Sequence, residues 1–229
     1  MIALDLPGFG DSPPPPWEVT ITNYGRLVLD FCTALGVRDA AVVGSSLGGF
    51  VAAETAIAQP GRFERLVLVS AAGVSSVRLR RRPLALTARM LHAGAPLIFK
   101  AQIRTFRRPK ARARAFLGAV HRPELIRPEL LWELFTGGER GERFVEAITS
   151  LAGYDILERL EEVEVPALVV WGRKDRLVPP PDATEFARLL KNSRLEIFDE
   201  CGHLPMAERP VRFNRVLESF LADRNLNGV

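Results

Sequence analysis

A serine, an aspartate and a histidine occur in this chain in settings that suit nucleophilic acyl transfer. Ser46 lies in Gly44-Ser45-Ser46-Leu47-Gly48, between the apolar run Ala40 to Val43 and an Ala-rich stretch with a helical pattern. A G-x-S-x-G pentapeptide between a strand and a helix puts its serine at the tip of a sharp turn, with the hydroxyl toward substrate. Gly44 and Gly48 are expected to allow close approach of backbone and helix, and Ser46 to be held in a strained conformation. The Leu47 amide, at the helix N-terminus, then faces the position where an oxyanion develops. The same five residues also serve as a plain turn before a packed helix, so the partners matter.

Two partners come later in the chain. Asp175 stands in Gly172-Arg173-Lys174-Asp175-Arg176-Leu177-Val178-Pro179, directly after the apolar run Val165 to Trp171. His203 stands in Asp199-Glu200-Cys201-Gly202-His203-Leu204-Pro205, directly after Arg194 to Phe198. Loops at the carboxyl ends of parallel strands are where ligands collect in open sheets. His203 is the one histidine expected at this edge, because His92 and His121 fall in a different part of the chain. It would take the Ser46 proton during attack and return it to the leaving group. Asp175 would fix the imidazole tautomer and stabilise the imidazolium. Taken singly, Asp175 also reads as a turn cap and His203 as a satisfied loop histidine; it is the combination with Ser46 that favours catalysis.

The elements that must position these residues alternate. Met1 to Asp5 is an apolar strand candidate, followed by the Pro/Gly-rich loop Leu6 to Trp17. Thr20 or Thr22 can cap a helix carrying Leu27, Phe31 and Leu35 at helical spacing and ending near Gly36. The run Ala40 to Val43, the helix to about Ala58 and the run Arg65 to Ser70 come next. From about Pro83 to Gly153 only amphipathic helical segments occur, broken at Gly94-Ala95-Pro96, Arg108-Pro109, Arg122-Pro123 and Gly137-Gly138. The parallel pattern then returns, with helices from about Asp182 to Leu190 and from Val211 to about Asp223. The expected fold class is α/β, a mostly parallel sheet with helices on both faces. It divides into core residues 1–73, a helical insertion over 74–153, and core residues 154–229.

On these motifs the chain resembles the α/β-hydrolase superfamily, in the branch of meta-cleavage-product hydrolases, epoxide-hydrolase-like enzymes and small esterases. Leu4 to Ser12 resembles the loop after the family's fourth strand, Gly44 to Gly49 its elbow, Trp171 to Asp175 its acid loop and Gly202-His203 its histidine loop. The order Ser46, Asp175, His203 is that of the family triad. The resemblance implies a serine hydrolase acting on an ester or an activated carbon–carbon bond, with the insertion as a lid. Ser45 stands where the family often carries another residue. The serine itself argues against epoxide hydrolysis and dehalogenation, whose resembling enzymes use aspartate there.

A larger departure is that the family's first three strands, and the loop bearing its second oxyanion amide, have no counterpart here. In the family sheet the third strand separates the fourth from the fifth. This leaves two expectations: a piece of a longer product, which is favoured, or a trimmed fold that pairs Met1 to Asp5 directly with Ala40 to Val43. Loss of one oxyanion donor typically costs about 3–4 kcal/mol of transition-state stabilisation.

The insertion is apolar on its helical faces (Leu84, Leu86, Met90, Leu91, Leu97, Ile98, Phe99, Phe106, Phe116, Leu117), which suits a hydrophobic substrate as well as plain packing. Trp132 and Phe135 are candidates for a pocket wall or for a lid-to-core contact. Arg78, with Arg80, Arg81 and Arg82, is either part of a solvated basic face or a partner for a substrate carboxylate.

Composition bounds the rest. The 229 residues carry a net charge of +4, yet Ser75 to Pro123 holds thirteen Lys or Arg and no Asp or Glu. No nucleic-acid module accompanies this basic segment, so a nucleic-acid partner is not expected. There is no apolar run long enough to span a membrane, and no signal peptide is expected from the opening Met-Ile-Ala-Leu-Asp. Cys32 and Cys201 read as reduced thiols of a cytoplasmic protein. With neither a Gly-rich dinucleotide motif nor a metal-ligand cluster, no cofactor is expected. The partner would be a small-molecule substrate, and the protein a monomer or homodimer. Two alternatives stay open: a non-catalytic or truncated hydrolase-like protein, and a cofactor-free haloperoxidase or perhydrolase using the same triad.

Overall fold

The computed structural model describes residues 1–77, 118–131, 133, 143–154 and 156–223. Most of the expected lid, with Arg78, Trp132, Phe135 and the apolar set from Leu84 to Leu117, lies outside the described residues. Among the described residues four strands form one parallel sheet in chain order: β1 (Ala40–Ser45), β2 (Phe63–Val69), β3 (Ala167–Gly172) and β4 (Ser193–Phe198). Helices among the described residues include α1 (Ile21–Ala34), α2 (Leu47–Ala58), the short α3 (Val74–Val77), α4 (Phe144–Leu151), α5 (Pro181–Leu189), the short α6 (Pro205–Glu208) and α7 (Pro210–Ala222).

Residues 66–69 of β2 and all of β3 are apolar because both of their faces are covered. Leu66, Leu68, Val169 and Trp171 pack into the larger core with Ile21 and Tyr24 of α1, Phe50 and Ala53 of α2, and Phe186 of α5. The alternate residues Val67, Val69, Leu168 and Val170 face the other way, against Phe213, Val216 and Phe220 of α7. Each large side chain so buried contributes about 1.5–3 kcal/mol. Of the two candidate caps for α1, Thr20 takes the role, accepting from the Asn23 amide at 3.1 Å. Thr22 is hydrogen-bonded instead to the Tyr154 hydroxyl at 3.0 Å. No helix among the described residues is long and apolar enough to cross a membrane.

The first strand candidate needs correction. Met1 to Asp5 has no strand structure, and Ile2 is 57% exposed. An apolar run becomes a strand only where its amides and carbonyls find a ladder, and among the described residues β1, at the sheet edge, pairs only with β2. The direct pairing of residues 1–5 with β1 is therefore not formed. The loop from Asp5 to Ser12 is nonetheless well tied. Asp5 accepts from the Asp11 amide, Ser12 donates to the Asp5 carbonyl, and the Tyr24 hydroxyl donates to the Pro7 carbonyl at 3.0 Å.

Candidate active site

Parallel pairing puts the carboxyl ends of all four strands at one edge of the sheet. Ser46 follows β1, Asp175 follows β3 and His203 follows β4, so all three issue from that edge.

Ser46 is held by its backbone. Its φ of 54° and ψ of −121° lie in a region that side-chain-bearing residues seldom adopt, at a cost of roughly 1–3 kcal/mol. Surrounding hydrogen bonds enforce it. The Ser46 amide donates to Val69 at 3.0 Å, and its carbonyl accepts from Gly49, Phe50 and Ala72. The Ser46 side chain makes no capping bond to α2, which leaves the hydroxyl uncommitted to the helix. Leu47 opens α2, where the first amides lack intrahelical acceptors and carry the positive end of the helix dipole.

The glycine expectation is half right. A Cβ on Gly44 would sit 2.1 Å from the Gly48 carbonyl oxygen, so the close approach there is real. Gly48, however, has nothing within 4 Å of the place a methyl group would take, and no positive φ. The second close contact is at Gly49, whose added Cβ would meet that of Ala71 at 2.7 Å. Gly48 contributes its backbone to the contact; Gly49 contributes the missing side chain.

Asp175 and His203 are brought together. Asp175 Oδ2 lies 2.8 Å from His203 Nδ1, with the two residues only 6% and 5% exposed. The other carboxylate oxygen, Oδ1, accepts from the amides of Leu177 at 2.9 Å and Val178 at 3.0 Å. An ionised carboxylate only accepts, so a neutral His203 carries its proton on Nδ1 and keeps a lone pair on Nε2. The acid loop is fixed further by Trp171, whose indole donates to the Val178 carbonyl at 3.1 Å. It is laced to the histidine loop by Arg173 N to Phe198 O at 2.9 Å and Lys174 N to Cys201 O at 2.8 Å.

Part of the insertion reaches this edge as well. The His203 amide donates to the Ala119 carbonyl at 2.8 Å, and the His121 imidazole lies 3.2 Å from Glu200. The expectation that His121 stands apart from the histidine loop is therefore corrected: the chain returns from the insertion directly against it. Its hydrogen bond holds the exposed Glu200 carboxyl below the usual carboxylate range, with Arg122 adding a weaker attraction. Burial, and then the nearby Glu208, push the Cys201 thiol up to about 12, so it stays protonated and is no nucleophile at neutral pH.

Sequence reasoning passed over Glu208. Its buried carboxylate accepts from the amides of Gly202, Leu204 and His121. The available signal was an acidic residue five positions past the histidine, between two prolines that fix short helical turns.

Comparisons with known proteins agree with this architecture. The model of the alpha/beta hydrolase family matches residues 1–216. The chain is 29% identical over 237 residues to the 2-hydroxy-6-oxo-6-phenylhexa-2,4-dienoate hydrolase of Comamonas testosteroni, covering 98% of this chain and 77% of that protein. It is 32% identical over 232 residues to an uncharacterized protein of Mycobacterium tuberculosis, covering 96% of this chain and 67% of that one. Among solved structures, an esterase from Exiguobacterium antarcticum superposes with a TM-score of 0.74 at 19% identity, over 96% of this chain and 80% of that chain. A meta-cleavage product hydrolase from Pseudomonas fluorescens superposes with a TM-score of 0.71 at 22% identity, over 95% and 77%. The structural likenesses bear on the fold alone, whereas the family match runs from the first residue through the elbow, the acid loop and the histidine loop. The chain belongs to the alpha/beta hydrolase family.

Proposed function

We propose that this chain is a serine hydrolase that acts by acyl transfer on a carboxylic ester or an activated carbon–carbon bond of a hydrophobic, aromatic-type small molecule. The observation that carries this reading is the buried Asp175–His203 hydrogen bond of 2.8 Å, at the same sheet edge as a serine in a strained turn. In the proposed reaction Ser46 Oγ attacks the substrate carbonyl carbon while His203 Nε2 takes the hydroxyl proton. The negative charge gathers on the former carbonyl oxygen, toward which the Leu47 amide is directed. Collapse of this intermediate breaks the bond to the leaving group, an alkoxide or a stabilised carbanion, which receives the proton from His203. Water, activated by the same imidazole, then releases the acid and restores Ser46. Asp175 stays ionised throughout and stabilises the imidazolium.

The test is labelling by a fluorophosphonate probe, with Ser46→Ala alongside. Stoichiometric labelling that disappears in the variant is expected. Folded protein that takes no label would overturn the reading in favour of a non-catalytic member of the family. Carbon–carbon cleavage is favoured over ester hydrolysis by the likeness to the Comamonas testosteroni enzyme across 98% of this chain. Turnover of a ring-cleavage dienone compared with a p-nitrophenyl ester separates the two chemistries. Within this proposal Arg78, Trp132 and Phe135, which lie outside the described residues, are the candidate substrate-binding residues. An acid-bearing substrate that gains nothing over its neutral analogue would remove Arg78 from the site.

A further inference from the structure

The geometry points to Glu208 as a positioning residue that fixes the His203 imidazole from behind, through the backbone of the histidine loop. This inference rests on the proposed reading of His203 as the general base.

Glu208 ends α6 and is 9% exposed, an uncommon place for a carboxylate unless several donors compensate its lost hydration. Three backbone amides do so. Oε1 accepts from Gly202 at 2.9 Å and from Leu204 at 3.3 Å, the residues on either side of His203. Oε2 accepts from His121 at 2.8 Å. The amide of His203 itself donates to Ala119 at 2.8 Å, two residues before His121. The contacts therefore close a ring: Glu208 holds both neighbours of His203, residues 119–121 hold His203, and Glu208 holds residues 119–121.

Gly202 shows how tightly this ring is drawn. A Cβ at that position would lie 2.8 Å from the His121 nitrogen, 2.9 Å from Glu208 Oε1 and 3.0 Å from the Ala119 oxygen. The loop has no side chain there because the carboxylate and the chain returning from the insertion occupy the space. Three consecutive amides, those of residues 202, 203 and 204, are thus assigned acceptors outside their own loop. With the backbone pinned on both sides, the imidazole is left to swing only about its side-chain torsions. The bond from Nδ1 to Asp175 fixes those.

The test uses the full chain, labelled with 15N-histidine, and the variants Glu208→Ala, Glu208→Asp and Glu208→Gln. The first readout is the far-downfield proton of His203 Nδ1 in its bond to Asp175, which requires no turnover. The second is kcat and KM on a p-nitrophenyl ester. Glu208→Gln keeps a carbonyl oxygen for Gly202 and Leu204 but turns its NH2 group toward the His121 amide, so it should retain the resonance while lowering kcat by less than the alanine variant does. Glu208→Ala has no acceptor, and Glu208→Asp draws its oxygens back by one methylene. Both should lose or broaden the resonance and lower kcat by about 100-fold, with KM changed by no more than about twofold.

A folded Glu208→Ala protein with the resonance intact and kcat near that of the parent would overturn the inference. If the alanine variant does not fold, the other two decide. A resonance kept in Glu208→Asp would show that the placement of the acceptor does not matter, and would equally overturn it. If the parent chain shows the resonance but neither turns over ester nor takes the fluorophosphonate, the hydrolase reading falls while the resonance comparison still decides Glu208.

Discussion

The two ends of the sheet hold the candidate site by different means. At the β3–β4 end, buried carboxylates do the holding. Asp175 accepts two backbone amides and the imidazole, and Glu208 accepts three amides around the histidine loop. At the β1 end there is no such side chain among the described residues. Ser46 is placed by a backbone turn, by the contact of Gly44 with Gly48, and by amide bonds to β2 and Ala72. Val43 of β1 is 49% exposed at that edge. Polar satisfaction orients a flexible imidazole, whereas steric exclusion aims a short hydroxyl. The two ends should therefore fail in different ways.

The largest effect is expected at the carboxylate end. Asp175→Asn preserves shape and keeps an oxygen for the Leu177 and Val178 amides, but it turns an NH2 group toward His203 Nδ1. The imidazole is then driven to the other tautomer, with its proton on Nε2, where the base must be empty. Replacing the equivalent aspartate in the Ser-His-Asp template lowers kcat by about 10⁴-fold. A loss of about 10³–10⁴-fold in kcat, with a thermal midpoint close to that of the parent, is expected here. Activity within about tenfold of the parent would show that the buried pair does not set the tautomer.

At the steric end, stability and geometry should fall together. Gly44→Ala would force a methyl group to within 2.1 Å of a carbonyl oxygen that belongs to the backbone and cannot rotate away. It is expected to cost about 2–4 kcal/mol in denaturant unfolding and to abolish labelling of Ser46. Gly48→Ala is the sharp contrast. The position is open and helical, so alanine should stabilise by up to about 1 kcal/mol. If the two substitutions destabilised equally, the steric account of the elbow would be wrong.

How much of this the sequence carried divides along the same line. Strands with both faces covered are legible because continuous runs such as Leu-Val-Leu-Val have no other stable use, and β2 and β3 formed where expected. The elbow, the acid loop and the histidine loop were legible because their residue types recur after such runs. Met1 to Asp5 was not, because an apolar run states an appetite for a ladder without stating whether a neighbour exists. Gly48 was read as the packed glycine, and Gly49 overlooked, because spacing in sequence does not say which of two adjacent glycines faces a neighbouring chain segment. Glu208 and Ala119 were missed for a related reason. Their partners are backbone amides up to 87 residues away, and backbone groups carry no sequence signature.

A smaller effect tests the burial of the carboxylate end. The Cys201 thiol, raised to about 12 by burial, should be inert to thiol reagents at about pH 8 in the folded protein and reactive in urea. Because its folded pKa is raised, its contribution to stability is complete below the unfolded thiol value of roughly 8.5 and is lost as pH rises above it. Thermal midpoints should therefore fall between about pH 8.5 and 10 in the parent and less steeply in Cys201→Ala. The Tyr24 phenol, also raised to about 12 chiefly by burial, adds a similar decline at higher pH. Identical slopes in parent and variant would mean that the thiol is not as enclosed as Phe198 and Phe213 make it.

The smallest effect lies just outside the ring around His203, at Glu200, and it separates contact from constraint. Glu200 touches His121 at 3.2 Å and Arg122 at 3.0 Å, so it joins the same two segments as Glu208. It does so in solvent, where water competes for every charge and salt screens the rest. Its folded pKa is depressed, chiefly by the His121 hydrogen bond, so whatever stability it lends is present above the ordinary glutamate pKa and fades as pH falls through the lower folded value. Glu200→Gln is expected to leave the thermal midpoint and kcat at about pH 7 unchanged, and to flatten the pH dependence of stability only on the acid side. A loss of activity comparable to that of Glu208→Ala would show that the insertion is held to the histidine loop by its surface charges, with the buried carboxylate secondary.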